Sequence, residues 1–208
     1  VPGVHYNARC ARRPGPLVVK SRLYQLTLIA STFGYCWLGM QIIHELGHVL
    51  AAYAVGETVN KVVLHPLVIS RSDVSHDRHP LLVIWSGPVL GSLLPLVFLA
   101  VARALRSSLF YLFQFFAGFC LIANGVYLGV GSFGGVGDAS DLLRHGSSPW
   151  TLIAFGLVCA PAGLWFWNNL GPYFGLGKSK GEVDRRAVRW AFGLVLIIVV
   201  AEFLASGR

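Results

Sequence analysis

Cut at its charged positions, the chain falls into long apolar runs separated by short polar segments. Residues 23–56 carry one charge, Glu45, while 79–102, 107–137 and 145–177 carry none and 190–207 carry only Glu202. A helix needs about 20 apolar residues to cross a hydrocarbon core. The pattern predicts five spans, near 23–45, 81–102, 109–130, 150–170 and 188–205, within one membrane-embedded domain of residues 23–208. A basic segment, 1–22, precedes it. A signal peptide does not account for the first run, which is far longer than the 7–15 residues of such an apolar region. The expected fold class is all-α, a multi-span helical bundle.

The connecting segments alternate in charge. They carry +5 before the first span, 0 over 56–80, +2 over 103–108, −1 over 131–149 and +3 over 171–189. Every second segment is basic, so five crossings with a cytoplasmic N-terminus satisfy the positive-inside rule. Segment 56–80 is the longest polar connection. Its stretch Thr58–Ser70 is rich in Val, Leu and Ile, which predicts one or two short strands, a hairpin interrupted near His65-Pro66.

Composition agrees with a lipid solvent. Of 208 residues 55% are hydrophobic and 12% charged, about half the charge of a soluble domain. Disorder is excluded, since it requires low hydrophobicity and high charge. The net charge of +8 reads as topology, because the cations cluster between apolar runs; no nucleic-acid partner is expected. The expected location is multi-pass in a lipid bilayer, the cell membrane. Cys10, Cys36, Cys120 and Cys159 have no CxxC spacing and read as small hydrophobes rather than as disulfides or a zinc knuckle.

His44-Glu45-Leu46-Gly47-His48 is an HExxH motif within the first apolar run. Residues four apart share a helix face, so both imidazoles can hold one Zn²⁺. Glu45 can then serve as general base toward a water activated by the metal. Glu45 is also the one charge between Arg22 and Glu57, and an intramembrane carboxylate is costly enough to mark a functional site. The bland alternative is a Glu–His pair joining helices.

Two imidazoles leave a catalytic zinc one protein ligand short. The candidates are Asp138, Asp141, His145, His65, His76 and His79. Two spans separate the end of the first segment from residues 131–149, so both meet on one side of the membrane. Asp138, after a glycine-rich approach over 131–137, is preferred to Asp141. For either, a role confined to capping the short helix that follows stays open. His76 and His79 beside Asp73 and Asp77 read as a solvated loop rather than a second metal site. Asn124, polar at membrane depth, either contacts substrate backbone or holds helices together.

These features resemble the site-2 protease family of intramembrane zinc metalloproteases, in a compact form without a PDZ insert. The resemblance covers roughly residues 23–145 and includes Ser86-Gly87-Pro88, similar to a small-Gly-Pro element in the family's next span. It implies His44, His48 and Asp138 as zinc ligands, Glu45 as general base, and a membrane-protein substrate. The distal stretch departs from the family's Asn- and Pro-containing Leu-Asp-Gly pattern: Asp138 follows Gly137, precedes Ala139, and no proline lies between it and Asn124. A strand in segment 56–80 would hold an unwound substrate by β-augmentation. The rival expectations are a zinc-binding membrane protein without proteolysis, as sensor or inactive relative, and a metal-ion transporter.

Overall fold

The computed structural model describes residues 18–75 and 78–206; the arginines of the first seventeen residues, Cys10, His76 and Asp77 lie outside them. Among the described residues six α-helices carry the architecture: α1 (Arg22–Val55), α2 (Pro80–Ala104), α3 (Phe110–Gly134), α4 (Gly137–Arg144), α5 (Pro149–Trp167) and α6 (Arg185–Ser206). All but α4 are long and apolar enough to cross a membrane. The protein is therefore an all-α, multi-span bundle.

Helix α1 runs 34 residues without interruption, about 50 Å at 1.5 Å per residue. It overshoots a bilayer core and carries the HExxH turn toward one end. Gly56, in the left-handed conformation (φ 73°), closes α1 by donating its N–H to the last carbonyls. At the start of α2, the Glu57 carboxylate accepts the backbone N–H groups of Arg78 and His79 at 3.2 and 3.0 Å. A single acidic side chain thus holds the two residues that lead into that helix.

Two small antiparallel sheets sit at opposite ends. Strand β1 (Val18–Lys20) pairs with β4 (Glu182–Asp184), tying the chain before α1 to the chain before α6. Strands β2 (Val59–Val63) and β3 (Arg71–Val74) form the expected hairpin, with a register irregularity between Val59 and Lys61. The hairpin differs from expectation in its second strand, which begins beyond Ser70. Leu67, Val68 and Ile69 lie in the connection and are exposed. Their apolar character does not come from a pleated surface packed on a core.

In lipid the hydrophobic effect does not drive helices together, so close packing must. Helices α3 and α5 meet through glycines: a Cβ at Gly129 would stand 3.2 Å from the Gly156 Cα. Large apolar side chains such as Leu157, Trp165 and Ile197 point outward, which suits a lipid solvent rather than water. The buried core of Leu28, Tyr35, Cys36, Phe116 and Cys120 joins α1 to α3. This places one face of α3 against the HExxH turn.

Candidate metal centre

Helical spacing puts His44 and His48 on one face of α1, both buried, with ring centroids 4.9 Å apart. Asp138 arrives from the first turn of α4. That approach needs a sharp turn after α3, which Gly135 (φ 59°) and Gly137 (φ 57°) supply in a region that L side chains rarely adopt. One oxygen of Asp138, Oδ2, lies 2.8 Å from His44 Nε2 and 3.3 Å from His48 Nε2.

Each imidazole is held from behind. Asn124, buried on α3, donates its amide Nδ2 to the Cys120 carbonyl at 2.9 Å, which turns its Oδ1 toward His44 Nδ1 at 2.8 Å. An amide oxygen can only accept, so His44 Nδ1 carries the hydrogen. His48 Nδ1 likewise donates to the Val83 carbonyl at 2.9 Å. Both Nε2 atoms therefore direct lone pairs at the same carboxylate oxygen. Three electron-pair donors converging in this way could share a metal ion, or a proton carried on an imidazole Nε2. Ligating histidines are typically oriented by this kind of partner.

The spacing suits a metal. Bonds of about 2.0–2.1 Å in tetrahedral geometry set ligand atoms about 3.3 Å apart, which matches the 3.3 Å from Asp138 to His48, whereas the 2.8 Å to His44 is a hydrogen-bond length that would open by about 0.5 Å around an ion. The three residues form a group able to hold a metal ion, with their ligand atoms within 4.8 Å of one another. Two imidazoles and a carboxylate leave a fourth position open, as catalytic sites do. With protons on the imidazole Nε2 atoms in place of a metal, burial still pushes the Asp138 carboxyl up, but hydrogen bonds and charge from His44 and His48 overcome it and hold the group well below the usual carboxylate range.

Small residues make room for the centre. Ser86-Gly87-Pro88 on α2 passes so close to α1 that a Cβ at Gly87 would overlap the His48 ring. A Cβ at Gly47 would in turn meet the Ser86 carbonyl. The Ser86 hydroxyl donates to the Gly47 carbonyl at 2.8 Å and closes this crossing.

Glu45 opens onto the same cavity as the three ligands, a space of about 800 Å³. Its Oε1 accepts from Ser70 Oγ at 2.8 Å and its Oε2 from Ser72 Oγ at 2.6 Å. Ser70 also donates its backbone N–H to Gln41 Oε1 at 2.8 Å. The hairpin is thus fastened to α1 through the HExxH glutamate itself. Residues 69–74 line one wall of the cavity, and Trp37, Met40, Phe119, Ile122 and Val126 line an apolar wall.

The other candidate residues lie apart from the centre. Asp141 lines the cavity but sits one turn along α4, with Arg144 Nη1 at 3.5 Å. His145 caps α4 and approaches the Asp141 carbonyl with its Nδ1 at 2.8 Å. His65 packs edge-on against Phe203 at the end of α6, and His79 precedes α2. Among the described residues Cys36, Cys120 and Cys159 are buried free thiols. Sequence reasoning missed Ser70, Ser72 and Tyr127, whose contacts arise only when distant segments meet. The hydroxyl of Tyr127 accepts the backbone N–H of Asp138 at 3.1 Å.

No protein-family model, curated protein or solved structure matches the chain.

Proposed function

We propose that the protein is a zinc-dependent intramembrane endopeptidase of the site-2 protease type, hydrolysing membrane-embedded or membrane-adjacent segments of other proteins, in the cell membrane. The observation that carries this reading is the convergence of His44, His48 and Asp138 on one point, with Glu45 opening onto the same cavity. Zinc bound there would polarise the scissile carbonyl and acidify a water molecule.

The remaining chemistry falls to side chains. Glu45 accepts the proton of the attacking water and passes it to the departing amide nitrogen. The Ser70 and Ser72 hydroxyls do not prevent this. A carboxylate offers about four lone-pair sites, and the serines use one on each oxygen. They hold the carboxylate in place while leaving it able to accept from water.

Residues 69–74 run along the cavity wall, where an extended segment could lie beside them. Helical backbone hides its carbonyls from attack, so a substrate span must unwind first, and pairing with β3 would compensate its freed backbone groups. The apolar wall opposite suits the side chains of such a span. These features favour a peptidase over an ion transporter, which would need polar residues along a path through several helices.

Purified protein in liposomes, offered a panel of single-span fluorogenic peptides, tests the reading. Wild type is expected to cleave a subset, and Glu45→Gln to lose cleavage while retaining zinc. Full activity in Glu45→Gln overturns the mechanism. Zinc-loaded wild type that cuts nothing in the panel would favour the sensor reading.

A further inference from the structure

Tyr127 follows Asn124 by about one turn of α3, on the same side of the metal group. Its ring stands nearly perpendicular to that of His44, at 76° and 5.8 Å between centroids. The hydroxyl accepts the Asp138 N–H, which uses a lone pair and leaves its own hydrogen to be directed elsewhere. Among the described residues that hydrogen has no acceptor. Tyr127 also lines the cavity shared by the metal ligands and Glu45.

The other hydroxyls at this cavity are already committed. Ser70 and Ser72 both donate to Glu45. Asn124, a further polar side chain on α3, has its oxygen on His44 and an amide hydrogen on the Cys120 carbonyl, and is 1% exposed. Among the described residues, Tyr127 is the cavity-lining hydroxyl whose proton has no acceptor. The local fold makes space for it: a Cβ at Gly137 would overlap the Tyr127 hydroxyl. The glycine therefore serves both the turn into α4 and the seating of the phenol.

We propose that Tyr127 is a further catalytic residue, donating its O–H to the scissile carbonyl oxygen as that atom becomes an oxyanion. The inference rests on the proteolytic reading. In the step, the water oxygen bonds to the carbonyl carbon and the π pair moves onto the carbonyl oxygen. The water proton passes to Glu45 and then to the leaving nitrogen as the C–N bond breaks. Tyr127 keeps its own proton throughout and contributes a hydrogen bond that strengthens as charge develops.

The test compares wild type with Tyr127→Phe in three readouts: cleavage kinetics, zinc content, and affinity for a phosphinic peptide with apolar flanking residues. Such a peptide mimics the tetrahedral species. Loss of one oxyanion donor costs about 10²–10³ in kcat. The expected result is a kcat loss of about that size, a matching loss in phosphinic-peptide affinity, and unchanged KM and zinc content. Unchanged kcat in Tyr127→Phe overturns the inference. So does a loss that tracks departing zinc, which would reduce Tyr127 to an anchor for Asp138. If wild type binds zinc but neither cleaves nor binds the phosphinic peptide, the proteolytic reading itself fails, and this inference with it.

Discussion

Replacing Asn124 by alanine probes how the metal group is oriented rather than what composes it. Asn124 touches no ligand atom of the centre. It accepts the Nδ1 hydrogen of His44 at 2.8 Å, from a position 1% exposed. Without it, a buried N–H loses its partner, which costs about 1–3 kcal/mol. A second line of reasoning gives a similar size: removing a partner behind a ligating histidine lowers metal affinity about 10–100-fold, or about 1.4–2.7 kcal/mol. Zinc affinity, measured by competition with a chromophoric chelator in micelles, should fall by that factor in Asn124→Ala. Asn124→Asp keeps an acceptor at the same place and should retain most of the affinity. Val83→Ala supplies the contrast, because the partner of His48 is the backbone carbonyl of residue 83. Two lost methyl groups should cost about 2 kcal/mol of fold stability yet leave zinc affinity unchanged. Wild-type affinity in Asn124→Ala, or a larger loss in Val83→Ala, would refute the reasoning.

Two further predictions concern the elements around the centre. Gly87→Ala places a methyl group against the His48 ring on a backbone that Gly47 already crowds; overpacking of this kind costs about 1–3 kcal/mol, and a thermal melt with metal analysis should show a lower midpoint and less bound zinc. Ser70→Ala with Ser72→Ala frees Glu45 from both its hydroxyl donors; kcat in the peptide assay should fall with zinc content unchanged, and threonine at both positions should restore it.

The legible parts of the molecule were those written in local spacing. Five apolar runs sufficed for five spans because a bilayer demands length and little else. HExxH placed two imidazoles on one helix face because that relation is fixed within a single turn and a half. The count of crossings brought segment 131–149 to the side of the HExxH turn, and the glycines before Asp138 favoured it over Asp141; the structure sets Asp138 beside both imidazoles. The contacts of Asn124, Tyr127, Ser70 and Ser72 were not legible, since each depends on how α3 or the hairpin is docked against α1. The second strand of the hairpin was hidden for a different reason. Arg71-Ser72-Asp73-Val74 is polar and resembles a loop, whereas the exposed Leu67-Val68-Ile69 resembles a strand. In a lipid solvent an apolar run need not mark a packed face. Strands β1 and β4, three residues each, were too short to leave a pattern.

X-ray absorption at the zinc edge of the purified protein addresses the central claim without reference to any substrate. The account predicts about one zinc per chain, surrounded by nitrogen and oxygen at about 2.0–2.1 Å, with imidazole scattering that falls when His44 or His48 is replaced by alanine. A sulfur shell at about 2.3 Å, which would move the metal to the buried cysteines, would contradict it. So would zinc binding that survives the removal of His44, His48 and Asp138 together.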